Sequence, residues 1–183
     1  VAAPGAQWAY ASGTSNILAR VLRERLPGDW ADYAAFPRRA LFDPLGMETA
    51  VLETDAAGTL AGSSFMYAGA RDWARPGQLY LQDGVWAGER ILPEGWVTYS
   101  RTPAPAAPDG RYGAHWWLGI PRLFRSEDSP ALPADTFHLV GHEGQFVTVV
   151  PSADMVVVRL GLTLRPGAWD HPAFVRSVLE AVA

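Results

Sequence analysis

Two short polar segments hold the residue types that could do chemistry. The first, Trp8-Ala9-Tyr10-Ala11-Ser12-Gly13-Thr14-Ser15, places a phenol and several hydroxyls just ahead of an amphipathic pattern. One reading is an N-capping cluster, with Ser12, Thr14 or Ser15 as the cap and Tyr10 packed on the helix. The other makes Tyr10 an acid/base group. A phenol titrates near ~10, so Tyr10 works as a base near neutrality only beside a cation that favours the phenolate. The second segment is Val140-Gly141-His142-Glu143-Gly144-Gln145-Phe146. Glycines around a polar pair, between two strand-like runs, mark a place where something approaches the backbone closely, either a substrate or a plain bulge. A tandem Trp116-Trp117 adds aromatic surface. Alternation along a strand sends the two rings to opposite faces, one into the core and one able to line a pocket.

Composition removes several other chemistries. All fifteen basic residues are arginine, so a Schiff base, a Walker A loop and a Ser-x-x-Lys dyad are all excluded from this polypeptide. There is no cysteine, hence no disulfide, thiolate metal site or thiol nucleophile. A net charge of −4 offers no footprint for a nucleic-acid backbone. Ser12 lies in Tyr-Ala-Ser-Gly-Thr and not in a G-x-S-x-G elbow. His138 and His142 have an H-x-x-x-H spacing, but residues four apart on a strand are about 13 Å apart. Neither a metal nor an organic cofactor is expected. No apolar run reaches the roughly 18 residues that span a bilayer. The nearest, 146–164, is broken by Pro151-Ser152-Ala153-Asp154, so no membrane contact is expected.

The elements that must position these residues fall into two patterns. The 183 residues, 49% hydrophobic, are enough for one globular domain. Over 1–113 the pattern is mainly helical. Ile17, Leu18, Val21, Leu22 and Leu26 form one apolar stripe that stops at Pro27-Gly28. A second helix is expected from about Asp29 to Phe42, interrupted at Pro37, and a third over 70–81 with a kink at Pro76. A fourth is expected to begin at Pro93. Over 114–183 strands are expected at His115–Ile120, Thr136–Val140, Phe146–Val150 and Met155–Leu162. A last helix is expected, capped by Asp170 and burying Phe174, Val175, Val178, Leu179 and Val182.

Taken in order, Tyr10-Ala-Ser12, Leu41-Phe42-Asp43-Pro44-Leu45-Gly46-Met47-Glu48-Thr49, Ala70-Arg71-Asp72-Trp73-Ala74-Arg75, Gly88-Glu89-Arg90-Ile91-Leu92-Pro93, Trp116-Trp117 and Gly141-His142-Glu143-Gly144-Gln145 resemble the serine-reactive β-lactamase-like hydrolases. That family includes class C β-lactamases, related esterases and D-Ala-D-Ala peptidases. The nearest likeness is to the nylon-oligomer (6-aminohexanoate-dimer) hydrolase branch, which also has Tyr-x-Ser, a tandem Trp and a His-x-Gly-Gln segment. The resemblance covers nearly the whole chain.

The resemblance implies an α/β (α+β) fold of the β-lactamase/transpeptidase type: a helical region, an antiparallel sheet and a C-terminal helix. It implies a nucleophilic serine from Ser-x-x-Lys, an acyl-enzyme, and an ester or small amide as substrate. Tyr10 matches the general acid/base tyrosine. Gln145 would offer its backbone N–H as half of the oxyanion hole, the other half belonging to the serine. Ser12, His142, Gly144 and Trp116 would contact substrate. The serine and lysine precede the tyrosine in this family, so the chain reads as a C-terminal portion, incomplete without an N-terminal half. Such a portion is expected to expose a sheet edge and an apolar face, to be inactive alone, and to need its missing half or self-association. The alternative is a β-lactamase-like module that binds without catalysis. The compartment stays open between cytoplasm and periplasm.

Overall fold

The computed structural model describes residues 2–3 and 5–182, which form two compact units: Ala9–Arg75, and 76–182 together with the described residues up to Trp8. The change from helical to extended pattern near residue 114 lies inside the larger unit.

The smaller unit begins with α1 (Ser12–Arg25), whose N-cap is Ala11 with no side-chain cap, so none of the three hydroxyl candidates serves. The apolar stripe of α1 is not buried. Ile17 and Leu18 are 66% and 52% exposed, and Ala19 alone is buried, against Gly62. The pattern correctly marks a helix, but the unit has nothing to lay on that face. α2 (Trp30–Pro37) starts with a reciprocal capping box between Asp29 and Asp32. Tyr33 beneath it is buried, accepting from Leu60 N at 2.9 Å and donating to Ala19 O at 3.3 Å. Pro37 ends the regular helix, and the chain continues as a π-helical turn over Arg38–Phe42 into the short α3 (Asp43–Leu45). Pro37 has no N–H for the next helical bond, and the wider turn accommodates that loss. Gly46, at φ +68, closes α3 in the left-handed region.

A two-stranded ribbon, β1 (Val51–Leu52) with β2 (Met66–Tyr67), leads to α4 (Ala70–Leu81), which runs through Pro76. The Asp72 carboxylate accepts from Thr49 N at 2.7 Å and Thr49 Oγ1 at 2.6 Å and pairs with Arg75. Those hydrogen bonds from Thr49, with the Arg75 charge, hold its carboxyl below the usual carboxylate range against the opposing effect of burial. The brace ties the 41–49 segment to the start of α4. Asp72→Ala is expected to cost about 1–3 kcal/mol, read as a lower denaturant midpoint at unchanged m-value.

The larger unit is built on an antiparallel sheet of order β5-β6-β7: β5 (Phe137–Val140), β6 (Phe146–Val150) and β7 (Met155–Arg159). Every residue of β6 is buried. One of its faces takes α4, where Gly77 comes so close to Val147 and Val156 that a Cβ would sit 2.7–2.9 Å from their methyls. On that side Trp116, Phe137 and Val149 pack with Tyr80 and Val156. Phe146, of opposite parity to Val149, packs with Ile120, Phe124 and Trp169. The last helix, α6 (His171–Val182), is capped as expected, Asp170 Oδ1 accepting from Ala173 N at 2.9 Å. Val175 is fully buried, whereas Val182 is exposed.

Three expectations are corrected. His115–Ile120 forms no strand: His115 sits at φ +64, and only Trp117 makes bridges, to Tyr112 and His138. After the hairpin of β3 (Val85–Trp86) and β4 (Glu89–Arg90), α5 spans Trp96–Arg101 behind Gly95, so Pro93 precedes the helix in a turn closed by Trp96 N on its carbonyl. β7 stops at Arg159, three residues short, because Gly161 turns to bond the Gln145 side chain instead.

Candidate active site

The segment 141–145 connects β5 to β6 through a 3-10 turn at His142–Gly144, with Glu143 at φ +57 and Gly144 at φ +85. Gly141 N bonds Gln145 O at 2.8 Å and Thr163 N bonds Glu143 O at 2.9 Å. The Gln145 amide side chain clasps the Gly161 backbone, accepting from its N–H at 2.9 Å and donating to its carbonyl. Arg159 donates to the Gly144 carbonyl. Among the described residues nothing accepts the Gln145 N–H. A backbone donor left open beside a left-handed glycine, in a loop braced at Gly141, Glu143, Gly144 and Gln145, is the element an oxyanion site requires.

Arg159 is flanked by glycines. A Cβ at Gly144 would lie 2.6 Å from its Nη1, and one at Gly161 would lie 2.9 Å from its Cζ. Its guanidinium stacks over Trp169 at 4.4 Å. Burial draws its pKa below the ordinary arginine value, but arginine stays charged at any working pH.

Beneath the loop runs a buried polar chain. Trp169 Nε1 bonds His171 Nδ1 at 3.3 Å, His171 Nε2 bonds Thr148 Oγ1 at 2.7 Å, and Thr148 Oγ1 bonds His138 Nδ1 at 2.9 Å. An indole N–H only donates, so His171 Nδ1 accepts and its proton sits on Nε2. His171 then donates to Thr148, and Thr148 donates to His138. The direction of the chain thus assigns both imidazoles as neutral Nε2–H tautomers. His171 also stacks on Phe146 at 3.7 Å, one residue beyond Gln145. Burial pushes both histidines down to about 3; Arg159 pushes His171 the same way against Asp170, and His171 acts likewise on His138.

The remaining expected site residues are distributed as follows. The His142 side chain is 92% exposed and lies 3.4 Å from the Glu143 carboxylate. Tyr10, 61% exposed, and Ser12, in the first turn of α1, belong to the smaller unit, while the Gln145 loop belongs to the larger. Trp116 is 3% exposed and packed edge-on to Phe137. Trp117 takes the other face, where Trp8, Asp109, Arg111, Tyr112 and Arg122 join it around a hollow of about 330 Å³. Arg159, Thr148, Trp169 and His171 were not expected from sequence. A lone arginine closing a run of valines was the one available signal for Arg159.

The β-lactamase family model matches residues 1–172. No curated protein matches the chain. Among solved structures, the chain is similar to a protein from Bacillus anthracis named as a candidate 6-aminohexanoate-dimer hydrolase, at 25% identity and a TM-score of 0.77. That match covers 99% of this chain and 45% of the other. The fold is also shared with a candidate β-lactamase from Bacteroides dorei (17% identity, TM-score 0.65, 98% and 60% covered). A β-lactamase from Mycobacterium bovis shares it too (19%, 0.67, 98% and 66%). The chain therefore spans about half to two thirds of the length of these proteins.

Proposed function

The chain belongs to the β-lactamase family, and from that premise we propose that it forms the carbonyl-polarising and proton-handling part of a serine hydrolase acting on carboxylic esters or small amides. The observation that carries this reading is the open Gln145 N–H in its braced loop. An oxyanion donor is most effective when it is held in place before charge develops.

In the proposed reaction a serine hydroxyl from a Ser-x-x-Lys segment, N-terminal to Tyr10, attacks the carbonyl carbon and passes its proton to the Lys–Tyr10 pair. The carbonyl oxygen becomes an oxyanion and takes the Gln145 N–H. Collapse expels the alcohol or amine, protonated by Tyr10, and leaves an acyl-enzyme that water hydrolyses. Ser12 and His142 would border the substrate. The bare apolar face of α1 supports a further portion of protein that covers it, and so does the outer edge of β7, which pairs with no strand among the described residues. The lack of any lysine favours the second reading, a non-catalytic binding module.

Hydrolysis of 4-nitrophenyl acetate and butyrate, by this chain alone and mixed with the proposed N-terminal portion, separates the two. The name of the Bacillus anthracis relative adds the linear amide 6-aminohexanoate dimer as a third substrate. Turnover is expected only in the mixture, with Tyr10→Phe lowering kcat there by about 10²–10⁴-fold. Turnover by the lone chain, or indifference to Tyr10→Phe, contradicts the proposal. A mixture silent on all three substrates favours the binding module.

A further inference from the structure

We propose that Arg159 is a positioning residue for the Gln145 N–H, gripping the Gly144 carbonyl and so setting the direction and donor strength of the amide on the opposite edge of the same peptide. Its role in catalysis rests on the hydrolase reading above; the grip on the peptide does not.

The Gly144 carbonyl and the Gln145 N–H share one rigid plane and point in opposite directions across it. A group that fixes the oxygen therefore fixes the hydrogen. That plane would otherwise be loosely held, because Gly144 lacks a Cβ and sits at φ +85, where rotation is least restricted. The Gln145 side chain and carbonyl anchor the C-terminal side of the peptide through Gly161 and Gly141. On the N-terminal side, the strong bond to the peptide oxygen comes from Arg159.

Charge adds to position. A hydrogen bond from a cation to a carbonyl is stronger than a neutral one and draws electron density from the peptide nitrogen, making its N–H a better donor. The guanidinium has no other strong claim on it: among the described residues no carboxylate pairs with Arg159, and it lies over the Trp169 face. Both flanking glycines leave the room it occupies. The charge of the arginine is thus directed through the peptide to the open donor.

The test has two arms. In the first, the 183-residue chain is compared by amide NMR as wild type, Arg159→Met, which keeps the stem, and Arg159→Lys, which keeps the charge. The Gln145 amide nitrogen is expected to shift upfield in the Met variant, with faster solvent exchange, and to be partly restored by Lys. If the Met variant does not fold, Arg159→Gln, a neutral donor, is judged by the same signal. An unmoved Gln145 amide in a folded neutral variant overturns the proposal.

In the second arm the same variants are assayed in the hydrolytic mixture. Arg159→Met is expected to lower kcat and kcat/KM equally, by about 10–100-fold, as for loss of a transition-state contact. A change confined to KM overturns the catalytic role. A Gln145 signal that responds to Arg159 in a protein with no turnover leaves the grip standing and removes the hydrolase reading.

Discussion

Lowering the pH from 7 to 5 is expected to remove up to about 4 kcal/mol of stability from the larger unit, because two buried histidines must stay neutral for it to fold. In the unfolded chain an imidazole titrates near 6.5, whereas His138 and His171 are held down to about 3. Between those values the unfolded state binds protons that the native state refuses. Each histidine therefore contributes stability that is present above about 6.5 and is lost at up to ~1.4 kcal/mol per pH unit as pH falls toward 3. The main cause is burial, and the one-way chain from Trp169 to His138 leaves an added proton no acceptor. A protonated His171 would present Nδ1–H to an indole N–H, turning an acceptor into a second donor. Arg159 opposes that proton and Asp170 favours it. Asp72, whose contribution is lost only below about 4, lies outside this window.

A loss of this size is a large share of the 5–15 kcal/mol typical of a domain. It is checked by urea unfolding at pH 7, 6 and 5. His171→Gln, which removes one titration and can still bridge to Thr148, is expected to halve the slope. A flat profile, or an imidazole titrating near 6.5 by NMR, contradicts the assignment.

Gly144→Ala is expected to cost about 2–5 kcal/mol and to displace the Gln145 amide. Two effects combine. At φ +85 an L-residue carries a backbone penalty of roughly 1–2 kcal/mol. The added methyl would also lie 2.6 Å from Arg159 Nη1, 3.0 Å from Thr163 Oγ1 and 3.2 Å from the Phe124 ring. Arginine ends usually yield cheaply, but this one is stacked on Trp169 and bonded to the very residue that is growing, so relief requires it to release the Gly144 carbonyl. Overpacking of this kind adds about 1–3 kcal/mol.

Gly88 supplies the control. It has the same φ of +85, in the turn between β3 and β4, and open space where its Cβ would be. Gly88→Ala is expected to show the backbone penalty alone. Denaturant midpoints of the two variants separate strain from crowding, and equal losses would contradict the crowding at Gly144.

What could be read without a structure was local. Asp170 caps the last helix because a short acidic side chain reaches an N–H three residues ahead, a relation contained in a few consecutive letters. Runs of β-branched residues marked β6 and β7, and the glycines around His142 marked the turn that leaves the Gln145 donor open. The apolar stripe of α1 correctly signalled a helix, although periodicity carries no information on what, if anything, covers the stripe.

The remainder was decided by partners distant along the chain. Alternation required Trp116 and Trp117 to diverge, but it is a rule of parity. Which ring entered the core depended on Phe137 and Val149, which arrive from other strands. The Gly144 carbonyl meets a guanidinium fifteen residues later, and Thr148 joins imidazoles ten residues before it and twenty-three after. The sequence on its own therefore settled the family's motif order, the start of the last helix at its Asp170 cap and the glycine-flanked turn, all products of short-range stereochemistry. Tertiary packing alone settled the histidine tautomers, the choice between the tryptophans and the charge behind the oxyanion loop, since each depends on low-dielectric contacts that exist only once the sheet and the last helix have closed on one another.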